Sequence, residues 1–194
     1  MTVVTDPSFD LDLDPDVASS ADEAVRAWQM AENAFAAVAL RPTGRHGLRA
    51  AVRTRALGDL VIADWSTPDF EGVRTREMAD ADSVILVTVS EGRQIIETSH
   101  DALVLRPGSL ALVNTGRPGR VVVPGTLVKR AIRIPMTALA PFDTGHGSPQ
   151  SVVFEARDNA LSTLLHDHAA ASTSTWAACH GSRWKRRVTP CWCW

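Results

Sequence analysis

Residues 83–135 read SVILVTVSEGRQIIETSHDALVLRPGSLALVNTGRPGRVVVPGTLVKRAIRIP, and this stretch decides the fold. Short apolar runs alternate with turn residues at a spacing of roughly 8–12 residues, the rhythm of an all-β sandwich or barrel. The expected strands here are Ser83–Val89, Gln94–Glu97, Ala102–Leu105, Ser109–Val113, Arg120–Val123 and Leu127–Ile134, and the turns between them hold Gly92, Pro107-Gly108, Gly116–Gly119 and Pro124-Gly125. In the last strand Val128, Ile132 and Ile134 fall on one face, with Lys129 and Arg133 on the other. Pro135 is expected to close the strand region.

Working outward, two more strands are expected upstream, Leu48–Val52 and Leu60–Trp65, with a turn at Leu57-Gly58-Asp59. Before them the period changes. Ser20-Ala-Asp-Glu23 has the form of a capping box, and the helix it opens, about 21–39, sets Val25, Trp28, Ala31, Phe35 and Val38 near one stripe. A second helix is expected over about 155–171, with Leu161, Leu164, Leu165 and His168 on one stripe. The resulting expectation is a mainly β domain over residues 20–172, flanked by an N-terminal and a C-terminal helix, with eight strands closing into a jelly-roll barrel.

The two ends differ from this middle. Residues 1–19 read as a flexible acidic arm: seven acids and no Lys or Arg lie in residues 1–25. Residues 173–194 read as an irregular, disordered tail that holds all three cysteines and four of the six tryptophans. Of the 20 basic residues only Lys129 and Lys185 are lysines, leaving 20 − 2 = 18 arginines, a sign of GC-rich coding DNA. An out-of-frame reading of such DNA yields Arg, Trp, Cys and Pro, so CHGSRWKRRVTPCWCW suggests a frameshifted end. A net charge of −2 favours neither a nucleic-acid binder nor a strongly acidic surface. No apolar run approaches the ~18 residues of a spanning helix, and the start lacks the order of a signal peptide, so the expected location is the cytoplasm, without membrane contact.

Four pieces in order resemble the N-terminal cupin-like domain of AraC-type transcription regulators. They are Gly92 with its paired strands, Pro107-Gly108-Ser109, Asn114-Thr115-Gly116-Arg117-Pro118, and Ile134-Pro135-Met136. The resemblance covers about residues 20–170 and implies a cupin-like barrel that binds a small effector, with the second helix pairing subunits. It also departs from the family: Ser109 stands where Asp is frequent, and Gly119 where an aromatic residue or His is frequent. Such regulators continue into two helix-turn-helix units, whereas this sequence stops at Trp194, so a regulator truncated before its DNA-reading half is expected, with no specific DNA binding by this chain alone.

The rival is a small cupin-fold enzyme or isomerase acting on a polar metabolite. Metal chemistry in that fold needs two or three His and a carboxylate converging inside the barrel. Residues 47–99 contain no His, His46 and His100 stand alone, and His166 and His168 are two apart and so on different helix faces. No Ser-His-Asp order, phosphate-cradling glycine loop or paired-carboxylate motif stands out, and the spacing of Cys179, Cys191 and Cys193 fits no common zinc motif. No catalytic residue, metal or cofactor is therefore expected. Among the arginines, Arg74, Arg76, Arg93 and Arg117 offer planar forks suited to an anionic group. Arg74 and Arg76, two apart in an extended segment, would share a face. Arg74, Arg76 and Arg117 are the candidate ligand-binding residues if their face lines the barrel mouth, ordinary surface arginines being the alternative, and Trp65 either walls that pocket or fills the core. Leu161, Leu164, Leu165 and His168 are the candidate dimer seam, in a homodimer or in a heterodimer with an intact relative.

Overall fold

The computed structural model describes residues 10–13, 21–44, 49–98, 101–142, 151–155, 160, 163–165 and 167. In chain order these form β1 (Asp10–Leu13), α1 (Ala21–Phe35), β2 (Ala39–Pro42), β3 (Ala50–Leu57), β4 (Leu60–Thr67), β5 (Phe70–Arg74), β6 (Ser83–Glu91) and β7 (Gln94–Glu97). There follow β8 (Ala102–Leu105), β9 (Ser109–Asn114), β10 (Gly119–Val123), β11 (Leu127–Pro135), the short helix α2 (Met136–Leu139), a 3₁₀ turn at Ala140–Phe142, and β12 (Val152–Glu155).

The strands make two antiparallel sheets, ordered β1-β3-β4-β11-β6-β9-β12 and β2-β5-β10-β7-β8. The long strands β4, β6 and β11 lie side by side in the larger sheet, where the apolar runs of the sequence are densest. Residues of both sheets meet in one core. Ala63, Trp65, Val87 and Ala131 come from the larger sheet, and Phe70, Ile96, Leu105 and Val123 from the smaller. This is the cupin-like barrel of the sequence reading, with a helix before it.

Turn chemistry follows the sequence. Leu57 pairs with Leu60, so the β3–β4 hairpin has a two-residue loop, and Gly58 takes φ +59° there. Gly92, at φ +82° between β6 and β7, admits no side chain: a Cβ would lie 2.0 Å from the Thr126 carbonyl oxygen.

Helix α1 lies against both sheets. Trp28 meets Phe70 of β5 edge-on at 4.9 Å between ring centroids, and Phe35 meets Trp65 of β4 at 6.0 Å. The helix ends at Phe35 rather than near 39, because the next residues are claimed by a sheet: β2 pairs with β5. Helix side chains hold that exit. The Gln29 amide donates to the Val38 carbonyl and to Asn33 Oδ1, and accepts from the Leu40 N–H at 2.7 Å. Val38 is thus buried as expected, but from an extended segment.

Four strands lay outside the sequence reading. β2, with Pro42, is an edge strand, and Gly72 interrupts β5, so neither has a clean apolar alternation. Gly72 is small because a Cβ would sit 2.9 Å from Val38. β1 and β12 are four-residue edges. β1 also corrects the picture of residues 1–19 as a mobile arm, since Asp10–Leu13 pair with Ala50–Arg53. Pro135 is the last residue of β11 and sits opposite Ser83.

Of the expected C-terminal helix, Ala160, Thr163–Leu165 and Asp167 are helical. Leu164 and Leu165 are 65% and 40% exposed, so they do not pack into the barrel. Leu161, His168, the capping residue Ser20, and the tail 173–194 lie outside the described residues.

Candidate functional site

A cavity of about 90 Å³ opens between α1 and the two sheets. Its walls are mainly apolar: Phe35 of α1, Trp65 of β4, Phe70 of β5, Ile85 and Val87 of β6, Ile96 of β7 and Val121 of β10. Into this apolar space project a few polar groups, the composition expected of a small-molecule site. Glu32 enters from α1, Gln94 from β7, Lys129 from β11 and Arg74 from the end of β5, while Arg117 and Arg120 line the rim.

Position 32 lies four residues after Trp28 and three before Phe35, so the helix periodicity drives Glu32 into the apolar stripe. It is only 6% exposed. Burial pushes its carboxyl above the ordinary range, against the weaker opposing pull of Lys129 and Arg74 and the nearby Trp28 indole. Lys129 shares the inward face of β11 with Ala131, and its Nζ lies 5.6 Å from the centroid of the Trp65 ring. Burial holds its amine below the ordinary lysine range; Glu32 partly restores it and Arg74 depresses it further. Arg74 is lowered by burial as well, with Glu32 and Asp80 opposing.

These charges do not neutralise one another directly. Among the described residues, neither Glu32 nor Lys129 makes an ion pair with a neighbour, and Arg74 is anchored by backbone alone. Its Nε donates to the Ala37 carbonyl at 3.0 Å, and a terminal nitrogen reaches the Thr115 carbonyl at 3.5 Å. Three buried polar atoms of the cavity residues make no hydrogen bond: Glu32 Oε1, Gln94 Oε1 and Trp65 Nε1. Buried polar atoms are nearly always satisfied in folded proteins, and these three lie around one void that has room for a polar partner.

Of the residues singled out from sequence, the structure brings Trp65, Arg74 and Arg117 to the cavity. It separates Arg76 from them. β5 ends at Arg74, the chain turns through Arg76–Met78, and Arg76 is exposed outside the lining, so the expected shared face with Arg74 does not exist. Arg93 sits exposed in the β6–β7 hairpin. Glu32, Gln94 and Lys129 escaped the sequence reading. The alternation along β11 was legible, but the face bearing Lys129 is the inner one, contrary to the usual polar-out arrangement.

Gly119 departs from the resemblance for a visible reason. It pairs with Arg74 across β5, and a Cβ there would lie 2.7 Å from the Glu97 carbonyl oxygen, so no larger residue fits without moving β7. Among the described residues no group of three His, Cys, Asp or Glu is arranged to hold a metal; the six histidines all lie outside the described residues. Among the described residues, no helix is long and apolar enough to cross a membrane.

A family model described as AraC-binding-like domain matches residues 27–188. No curated protein matches the chain. Among solved structures, the AraC-like transcriptional activator CuxR superposes with a TM-score of 0.71 at 19% identity, over 87% of this chain and 60% of that one. The chain thus spans about 60% of that activator's length, and at this identity the likeness establishes the fold. The glyoxylate-induced protein of Pseudomonas aeruginosa matches more distantly, with a TM-score of 0.41 at 18% identity over 62% of this chain and 50% of that one.

Proposed function

The chain belongs to the AraC-binding-like domain family, and from that premise we propose that it is the effector-sensing and dimerisation part of an AraC-type transcription regulator, acting without catalysis. The observation that supports this most is the cavity. An apolar pocket with unsatisfied Glu32, Gln94 and Trp65 atoms and two half-buried cations suits reversible capture of a small polar molecule. Trp65, Arg74 and Arg117, chosen from sequence, join Glu32, Gln94 and Lys129 as its proposed contacts. Because α1 supplies Glu32 and Phe35, a bound effector would touch the helix and both sheets together, which is how occupancy would reach the rest of the molecule.

In the same reading, the helical segment with exposed Leu164 and Leu165 pairs with a second subunit, together with Leu161 and His168 of the same stripe. That partner is another copy or an intact relative. Sequence-selective DNA contact is assigned to a helix-turn-helix unit, which the described residues do not contain, so this chain alone is proposed not to choose a DNA sequence.

A thermal-shift screen of small organic acids and sugars tests the sensing role, since a ligand bound only by the native state raises its melting temperature. The expected result is at least one compound that stabilises the protein, and that loses its effect in Val121→Phe, which fills the cavity from a half-buried position. Stabilisation that survives Val121→Phe would place the ligand elsewhere and refute the cavity as the sensor.

A further inference from the structure

The cavity's charges narrow what can occupy it. Lys129 and Arg74 are cations, Glu32 is an acid, and none is paired with another in the structure. A neutral polyol would leave two half-buried cations without an anion, an unfavourable arrangement. A bare carboxylate would satisfy the cations but leave Glu32 and Gln94 with acceptor atoms unfilled. A molecule with both an anionic group and a donor answers the cations and at least one of these acceptors.

We propose that the ligand is a small carboxylate bearing a hydrogen-bond donor, a hydroxy acid or an amino acid in chemical class. Its carboxylate lies between Lys129 and Arg74, and its hydroxyl or ammonium donates to Glu32. Lysine supplies up to three donors and arginine a planar fork, and the Trp65 indole N–H adds one more toward the anion. Where the ligand is an amino acid, a second N–H of its ammonium donates to Gln94 Oε1. The cavity's ~90 Å³ limits the ligand to a compact molecule, since one water-sized group needs about 10–15 Å³ by the same measure. The proposal rests on reading this cavity as the effector site.

Titration calorimetry on the full chain with matched compounds tests it. The probes are lactate, lactamide and propionate; mandelate, mandelamide and phenylacetate; and the neutral arabinose and glycerol. The expected result is that a hydroxy acid binds at least tenfold more tightly than its amide and measurably more tightly than its deoxy analogue. Lys129→Met and Arg74→Gln should each weaken the acid at least tenfold, and Glu32→Gln should erase the preference for the hydroxyl. Circular dichroism melting checks that each variant folds, and the acid-against-amide comparison on the parent chain needs no variant. Amides or neutral sugars binding as well as acids would overturn the ligand class and leave the sensing role standing. Acid binding untouched in both Lys129→Met and Arg74→Gln would overturn the placement of the carboxylate. If none of these compounds binds, the ligand class is overturned, and the sensing role is decided separately by the thermal-shift screen with Val121→Phe.

Discussion

Glu32 and Lys129 each cost stability where they are charged, and the two costs have opposite pH signatures. The Glu32 carboxyl titrates above its ordinary value of 4.5 in the fold. Its neutral form is therefore favoured by folding. That contribution is complete below pH ~4.5 and is lost as pH rises through the higher folded value. The Lys129 amine titrates below its ordinary 10.5 in the fold, so its penalty is present while it is charged and is relieved as pH climbs from the folded value toward 10.5. Glu32→Gln should then raise stability at pH 8 by about 1–2 kcal/mol, which is roughly 2–8 °C for a chain this long, and should flatten the decline above pH 4.5. Melting curves of parent and variant at pH 5 and pH 8 check this, and a variant less stable than the parent at pH 8 would show that attraction to Lys129 outweighs desolvation. Gly119→Ala makes a second residue-scale prediction. With a carbonyl 2.7 Å from the new Cβ, it should cost about 1–3 kcal/mol and lower the denaturation midpoint accordingly. Both residues show what a sequence conceals. Trp65 and Arg74 announced themselves as a large aromatic and a forked cation, whereas Glu32 looked like one more helix acid. Its place in the 28–32–35 stripe was the available signal.

At the scale of elements, long strands with dense apolar runs were legible, and four short strands without a clean alternation were not. β4, β6 and β11 are each eight or nine residues long and were all anticipated. β1, β2, β5 and β12 have four or five residues, and their pairing is decided by a partner strand distant in sequence rather than by their own pattern. The α1 boundary failed for the same reason: Gln29 and Asn33 tie residues 38–40 into an extended path that no local propensity encodes. Replacing Gln29 by Ala should remove those ties, loosen β2 and cost about 1–2 kcal/mol. Hydrogen exchange would locate the effect, with faster exchange at the Leu40 amide and unchanged protection in β6 and β11 as the expected pattern. Between β4 and β11, the outward Arg130 grips Asp64 with two bonds of 2.6 and 2.8 Å. Arg130 is 5% exposed, so Asp64→Ala should destabilise by more than an ordinary surface change, on the order of 1–3 kcal/mol.

At the scale of the whole molecule, we propose that ligand capture in the cavity is joined to subunit pairing through the helical segment. Exposed Leu164 and Leu165 give the second half its test. Leu164→Glu with Leu165→Glu should turn a dimer into a folded monomer by light scattering, because charges in an isologous apolar contact repel their own copies. A parent already monomeric at tens of micromolar would refute the seam. The central claim, however, is the cavity, and a crystal structure of the chain with its most stabilising carboxylate tests it most directly. Density for that compound is expected against Trp65, with its carboxylate between Lys129 and Arg74 and its donor on Glu32. The same compound found only outside the barrel, with the cavity between α1 and the sheets holding none of it, would contradict the account.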